Sequence, residues 1–226
     1  SGSLVLEHKS FDLAELLSNN LTVVAMSAYE NSVRFEGGVD ASTIRHRYLI
    51  GSPVHLSRVL MNLSSNAIKY NQFHGTVNVH CEELSDDGNI AVFQLVCSDT
   101  GLGMSEEFQK HAFDAFAQEG KQSTTTFSGS GLGLSIVKDI VERMGGTIEL
   151  ESEENVGSTF TVTVPFEIDY LAENNDSQKD SYSQDMDLSG KRVLLVEDNV
   201  INMEIAHAIL EEEHLNITEA KNGKEA

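Results

Sequence analysis

Between Ser52 and Tyr70 the sequence carries two stripes of helical periodicity that share an edge. Leu56, Leu60, Leu63 and Ala67 recur at three- and four-residue spacing and form the apolar face of one helix. Ser52-Pro53 starts it, with proline near the first turn, where its missing N–H is no loss. Asn62, Asn66 and Lys69 fall about 100° around the same helix, at i, i+4 and i+7. Asparagine is a mediocre helix former. Two of them one turn apart, flanking a buried face, are placed for something other than helix stability. The apolar face itself demands a second layer to cover it, which makes a helix-on-sheet architecture the first expectation.

Strand signals supply that layer. Residues 34–36 and 48–50 are short candidates. Val77, Val79 and Cys81 alternate in one longer strand and Phe93, Leu95 and Cys97 in the next, with Ser85-Asp-Asp-Gly88-Asn89 as their turn. Residues 147–152 and 158–166 complete the set, with Phe160, Val162 and Val164 alternating against threonines. Residues 11–30 predict a helix striped by Leu13, Leu16, Leu17, Leu21 and Val24. Ser105 opens a short helix through Phe113 and Phe116. A further helix spans 131–144 and stops at Gly145-Gly146. Residues 117–130, rich in Gln, Ser, Thr and Gly, lack periodicity and read as a mobile loop. The expected fold is α/β (α+β): a two-layer sandwich of a mixed sheet of about five strands with three main helices on one face.

Residues 167–190 have the polar, acidic composition of a linker. Residues 191–196 then read as a strand apolar on both sides, as in a parallel sheet covered on two faces. Glu197 and Asp198 follow at its carboxyl end, then a helix over 200–213 and a short strand near Ile217. The predicted organisation is a main domain over 4–166, the linker 167–190, and a truncated β-α-β piece of a doubly wound domain over 191–226.

With 15 basic and 36 acidic residues the formal charge is −21, which argues against nucleic acid or an anionic membrane surface as partner. A polyanionic ligand must be held by a few local cations, backbone amides and a metal ion. The two cysteines, Cys81 and Cys97, fall on neighbouring strands about four residues out of register, so no disulfide is expected and a reducing cytoplasm is natural. No apolar run approaches the roughly 18 residues that span a bilayer. The eight histidines are scattered without ligand spacing, and His8 lacks the amphipathic helix a phosphorylatable histidine would occupy.

Three separated motifs carry the chemistry. Magnesium prefers oxygen ligands and takes only one or two protein groups beside phosphates. The Asn66 amide oxygen can supply one without adding negative charge, Asn62 reaches the metal shell or a phosphate, Lys69 neutralises phosphate oxygens, and Tyr70 packs against a nucleotide. In Asp99-Thr-Gly101-Leu-Gly103, a carboxylate at the end of a strand can accept a hydrogen bond from an adenine amino group, while the glycines admit close backbone approach. In Gly129-Ser-Gly131-Leu-Gly133, glycines straddle a helix start, where backbone amides and the helix dipole suit phosphate oxygens. The spacing is neither that of a P-loop nor that of a dinucleotide fingerprint.

On these residues the chain resembles the catalytic ATP-binding domain of bacterial hybrid sensor histidine kinases, within the superfamily that also holds gyrase, heat-shock chaperone and mismatch-repair ATPases. Residues 62–70 match the asparagine box, Asp99 to Met104 the first glycine box, Phe113 to Phe116 the phenylalanine box, and Gly129, Ser130, Gly131, Leu132, Gly133 and Leu134 the second glycine box; Gly157-Ser158-Thr159 resembles a weaker last motif. The resemblance implies that Asp99 recognises adenine, Asn66 holds Mg2+ with ATP, and residues about 105–130 close over the triphosphate. Hydrolytic members carry a glutamate general base where this chain has Asn62, which cannot take a proton at neutral pH, so the resemblance favours phosphoryl transfer over hydrolysis. Residues from Gly190 resemble the start of a response-regulator receiver domain, with Glu197 and Asp198 as its acidic metal-binding pair.

Two departures qualify the match. The stretch 124–127, where similar kinases often have an arginine, reads Thr-Thr-Thr-Phe, leaving only Lys121 as a cation in the loop. The helical hairpin that would bear the accepting histidine, and the receiver's phosphorylatable aspartate, lie outside this sequence. The expected partners are ATP, a histidine-bearing dimerisation domain and a receiver domain. The rival readings are an ATP-binding module that transfers no phosphate and a hydrolytic ATPase.

Overall fold

The computed structural model describes residues 5–39, 42–118 and 131–175, and, further on, 190–197, 199, 202–203, 206–207, 210–211, 214–223 and 225. The chain divides into two compact units, Ser1–Asn174 and Asn175–Ala226.

In the first unit β1 (Lys9–Asp12) runs straight into α1 (Leu13–Glu30), and Asp12 caps that helix by accepting the Glu15 N–H at 3.1 Å. There follow β2 (Arg34–Gly37), β3 (Tyr48–Gly51), α2 (Pro53–Lys69), β4 (Thr76–Asp86), β5 (Ile90–Asp99), the single turn α3 (Glu106–Gln109), α4 (Gly133–Arg143), β6 (Thr147–Glu153) and β7 (Gly157–Ile168). The strands form one sheet in the order β1-β3-β7-β5-β4-β2, and β6 pairs with β7 as well. Of the described pairs within this sheet only β2–β4 is parallel, so the sheet is mixed. α2 is placed by its apolar face. Leu56, Val59, Leu60, Leu63, Ala67 and Ile68 are buried in one cluster with Val77 and Val79 of β4, Phe93, Leu95 and Cys97 of β5, and Phe160, Val162 and Val164 of β7. Each of the Leu, Ile, Val and Phe side chains among them contributes about 1.5–3 kcal/mol when removed from water. The same cluster takes in Leu13, Leu17, Leu21 and Val24 of α1 and Val137, Ile140 and Val141 of α4, so three helices share one face of the sheet.

The helix-on-sheet sandwich agrees with the sequence expectation, with four differences. The sheet has seven strands rather than about five; β1 carries no apolar alternation, and its pairing with β3, with Phe11 packed edge-on against Phe166, holds it. The helix opened by Ser105 stops at Gln109 instead of reaching Phe113 and Phe116; residues 110–116 continue as turns, with Phe116 at φ 67°. α4 begins at Gly133 rather than Gly131, because Gly131 has a φ of 68° and cannot lie in a right-handed helix. Cys97 stands opposite Val79 and Cys81 opposite Leu95, an offset of two places rather than four; both are free thiols.

In the second unit β8 (Arg192–Val196) and β9 (Asn216–Ala220) pair in parallel. Leu194 and Val196 are 50% and 43% exposed, so the two-face cover expected for this strand is not present among the described residues. Of the helix expected over 200–213, positions 202–203, 206–207 and 210–211 are helical and the others lie outside the described residues.

Candidate functional site

α2 lays its half-buried polar stripe beside the start of α4. A Cβ built on Gly133 would sit 3.3 Å from Asn62 Oδ1 and 3.9 Å from Asn66 Nδ2, so the first residue of α4 lies against both amides. The Asn62 Nδ2 donates to the Arg58 carbonyl at 2.8 Å, which leaves its Oδ1 turned toward Gly133. Among the described residues no side chain caps α4. Its first-turn N–H groups and the positive end of its dipole therefore stand beside the Asn62 amide oxygen and the Asn66 amide nitrogen. Chemically, such N–H groups can receive an anion, and an uncharged amide oxygen such as Asn62 Oδ1 can serve a hard cation. At the far end of α2, Lys69 Nζ donates to the Tyr70 hydroxyl at 3.1 Å and lies 4.8 Å from its ring centroid.

Asp99 ends β5 at the carboxyl end of α2. The Leu102 N–H donates to the Tyr70 carbonyl at 3.0 Å, tying the turn after Asp99 to the helix end. This close approach dictates the glycines: a Cβ on Gly101 would come within 2.4 Å of the Tyr70 carbonyl, and one on Gly103 within 1.8 Å of the Glu153 carbonyl. The demand for glycine thus comes first from the protein's own backbone, before any ligand is considered. Burial pushes the Asp99 carboxyl up from 3.8 to about 6, against the pull of the Gly101 and Ser158 backbone N–H groups. Cys97, two residues earlier, is pushed up to about 12 by burial and by the Asp99 charge, so no thiolate forms there.

Asn62, Asn66 and Gly133 come together at one end of this stripe, and Lys69, Tyr70, Asp99, Gly101 and Gly103 at the other. Met104, Leu134 and Phe113 are partly buried against the core, and Phe113 meets Phe160 edge-on at 6.4 Å. Gly131 accepts the Phe116 N–H at 2.9 Å, while Leu132 is the residue before α4. Thr159 stands apart: it pairs with Ser98 on the sheet face opposite the Asp99 side chain, and Ser158 is the residue facing Asp99 across the ladder. Ser158 is buried and its Oγ lies 2.9 Å from Ser152 Oγ. A serine at a strand start gives no signal until the register is known, which is why the sequence pointed to its neighbour. Lys121, Gly129, Ser130 and Asp198 lie outside the described residues, as does most of the loop over 117–130. In the second unit the Glu197 carboxylate accepts the Asn199 N–H at 3.2 Å. His8 lies on the surface, 3.6 Å from Glu167.

Among the described residues His46, Glu83 and Asp86 bring possible metal ligands within 4.8 Å of one another. Arg45 already spans that group, 3.1 Å from Glu83 and 3.0 Å from Asp86. Its charges are met within the protein.

Residues 51–168 match the family model described as histidine kinase-, DNA gyrase B- and HSP90-like ATPase. The chain is 36% identical over 206 residues to the sensor histidine kinase AruS of Pseudomonas aeruginosa, a match covering 91% of this chain and 20% of that protein. It is 37% identical over 176 residues to the autoinducer 2 sensor kinase/phosphatase LuxQ of Vibrio parahaemolyticus, covering 76% of this chain and 20% of the relative. The chain therefore spans about a fifth of the length of these relatives. Among solved structures, the catalytic domain of the histidine kinase ThkA superposes with a TM-score of 0.56 at 26% identity, over 70% of this chain and 95% of that one. Full-length ShkA, solved with AMPPNP, superposes with a TM-score of 0.60 over 99% of this chain and 43% of its own, a likeness of fold at 22% identity. The chain belongs to the histidine kinase-, DNA gyrase B- and HSP90-like ATPase family, and its matched region is the ATPase domain of the kind sensor histidine kinases carry.

Proposed function

We propose that this domain binds ATP with Mg2+ and presents the γ-phosphoryl group to a histidine on a separate dimerisation hairpin, as the donor half of a two-component kinase. The observation that carries the reading is the placement of Asn62 and Asn66 against the start of α4, with Asp99 at the other end of α2. The distance along α2 from Tyr70 to Asn62 is about 12 Å at 1.5 Å per residue, a span suited to an adenine at Asp99 and a triphosphate along the helix.

In this reading the Asp99 carboxylate accepts from the adenine amino group, and the α4 amides hold phosphate oxygens. Asn66, aided by Asn62, holds the magnesium ion, which when bound offsets charge on the phosphates. Asn62 cannot deprotonate water, so the site positions the phosphoryl group without activating a hydrolytic nucleophile. Transfer breaks the bond from the γ-phosphorus to the bridging oxygen, leaving ADP, as the accepting imidazole nitrogen forms the new bond to phosphorus.

We further infer a cytoplasmic setting and a hybrid parent, with residues 191–226 the first part of a receiver domain. The parallel β8–β9 pair, with Glu197 just past the end of β8, supports that assignment. No helix among the described residues is long and apolar enough to cross a membrane. Supplying the histidine hairpin in trans with radiolabelled ATP tests the proposal. Acid-labile phosphate on the added hairpin is the expected result. ATP binding without transfer would leave a nucleotide-binding module, and sustained phosphate release without the hairpin would make the domain a hydrolase.

A further inference from the structure

The γ-phosphate of a bound triphosphate needs a cation, and the loop over 117–132 offers only Lys121. α2 offers another. Arg58 stands one turn before Asn62, so Arg58, Asn62, Asn66 and Lys69 follow one another along a single stripe of the helix. The stripe begins beside the Asp99 turn, where Lys69 and Tyr70 sit, and passes the α4 start at Asn66 and Asn62. Arg58 is the next residue along it, about 6 Å further along the axis. The Asn62 side chain is bonded back to the Arg58 carbonyl, which joins the two positions directly.

The charge environment of Arg58 sets it apart among the described arginines of the first unit. In a chain of −21 net charge, Arg34 holds Glu36, Arg45 holds Glu83 and Asp86, Arg47 holds Asp12 and Arg143 holds Asp139. Arg58 is exposed and has no carboxylate partner among the described residues. A guanidinium so placed faces solvent at the end of the stripe where a triphosphate carries its terminal charge, and its planar fork suits phosphate oxygens.

We propose that Arg58 is the specificity-determining cation for the γ-phosphate: it contacts the terminal phosphate of bound ATP from helix α2 and sets the preference for ATP over ADP. The proposal rests on the ATP-binding reading above. Because the arginine is solvent-exposed, its effect is moderate and weakens with salt.

The test is calorimetric titration of the full chain and of Arg58→Gln and Arg58→Lys with Mg-ATP and Mg-ADP, at low and at about 0.5 M salt. Arg58→Gln should weaken ATP binding about three- to tenfold and leave ADP binding within twofold, with Arg58→Lys in between. High salt should narrow the ATP-over-ADP preference of the parent and leave that of Arg58→Gln nearly unchanged. Equal losses for the two nucleotides, or an unchanged ATP-over-ADP ratio, overturn the role of Arg58 while leaving the site itself intact. Absence of nucleotide binding by the parent would instead refute the ATP-binding reading. Retained ADP binding reports that the variants are folded.

Discussion

Replacing Asp99 with asparagine should make the protein more stable and its nucleotide binding worse. Burial raises the folded-state pKa of this carboxyl from 3.8 to about 6. The fold therefore favours the protonated form. The stabilisation from that form is complete below pH 3.8, is lost progressively between there and about pH 6, and is absent above. Taking about 1.36 kcal/mol per pKa unit, the ionised side chain costs the parent on the order of 3 kcal/mol at pH 8. Asparagine carries no charge, and its amide oxygen can still accept the Gly101 N–H that Asp99 Oδ1 receives at 2.8 Å. At about 2–4 °C per kcal/mol for a domain of this size, the variant should melt several degrees above the parent at pH 8. The advantage should shrink steadily toward pH 4. ATP affinity should fall at least about tenfold, the loss of one charge-assisted hydrogen bond, with reduced discrimination against GTP. Thermal melts from pH 8 to pH 4 and nucleotide titrations read both effects. A variant no more stable than the parent at pH 8 would mean that desolvation does not set this carboxyl. An unchanged preference for ATP over GTP would remove Asp99 as the reader of the base.

Asn66→Ala should abolish magnesium-dependent ATP binding with the fold intact by circular dichroism; a metal-dependent affinity within about threefold of the parent, roughly 0.65 kcal/mol, refutes the metal role. In the parent, ATP affinity should rise between about pH 5 and pH 7 as Asp99 ionises, a trend that Asp99→Asn should lack; identical pH profiles would count against the raised carboxyl pKa. Leu60→Ala, at a fully buried position of α2, should lower stability by about 2–5 kcal/mol in denaturant melts, and a loss below about 1 kcal/mol would show that α2 is not packed as described. Incubated alone with Mg-ATP, the chain should bind nucleotide without phosphorylating His8 and turn over more slowly than about once per minute, far below ordinary enzyme rates; acid-labile label on His8 would contradict this.

Much of the fold was legible because its periodicities are local. The α2 stripe of Leu56, Leu60, Leu63 and Ala67 and the alternation in β5 and β7 mark which face each element buries, and the face is what selects a helix-on-sheet sandwich. The motif glycines and Asn62, Asn66 and Asp99 were visible for the same reason: their spacing along one helix or turn is a property of the chain. Register and pairing are not local. β1 has no apolar pattern and is fixed by its ladder with β3 and by Phe11 against Phe166, and the two-place offset of Cys81 and Cys97 depends on how β4 slides along β5. Ser158 faces Asp99, and Thr159 turns away, only because β7 pairs with β5 in one register. The approach of Gly133 to Asn62 and Asn66, and the desolvation that raises the Asp99 carboxyl, arise from packing between segments far apart in sequence. The sequence alone determined which residues could do the chemistry; tertiary packing decided which of them stand together and how burial tunes Asp99, because side-chain period is written along the chain whereas register, contact and desolvation exist only between its parts.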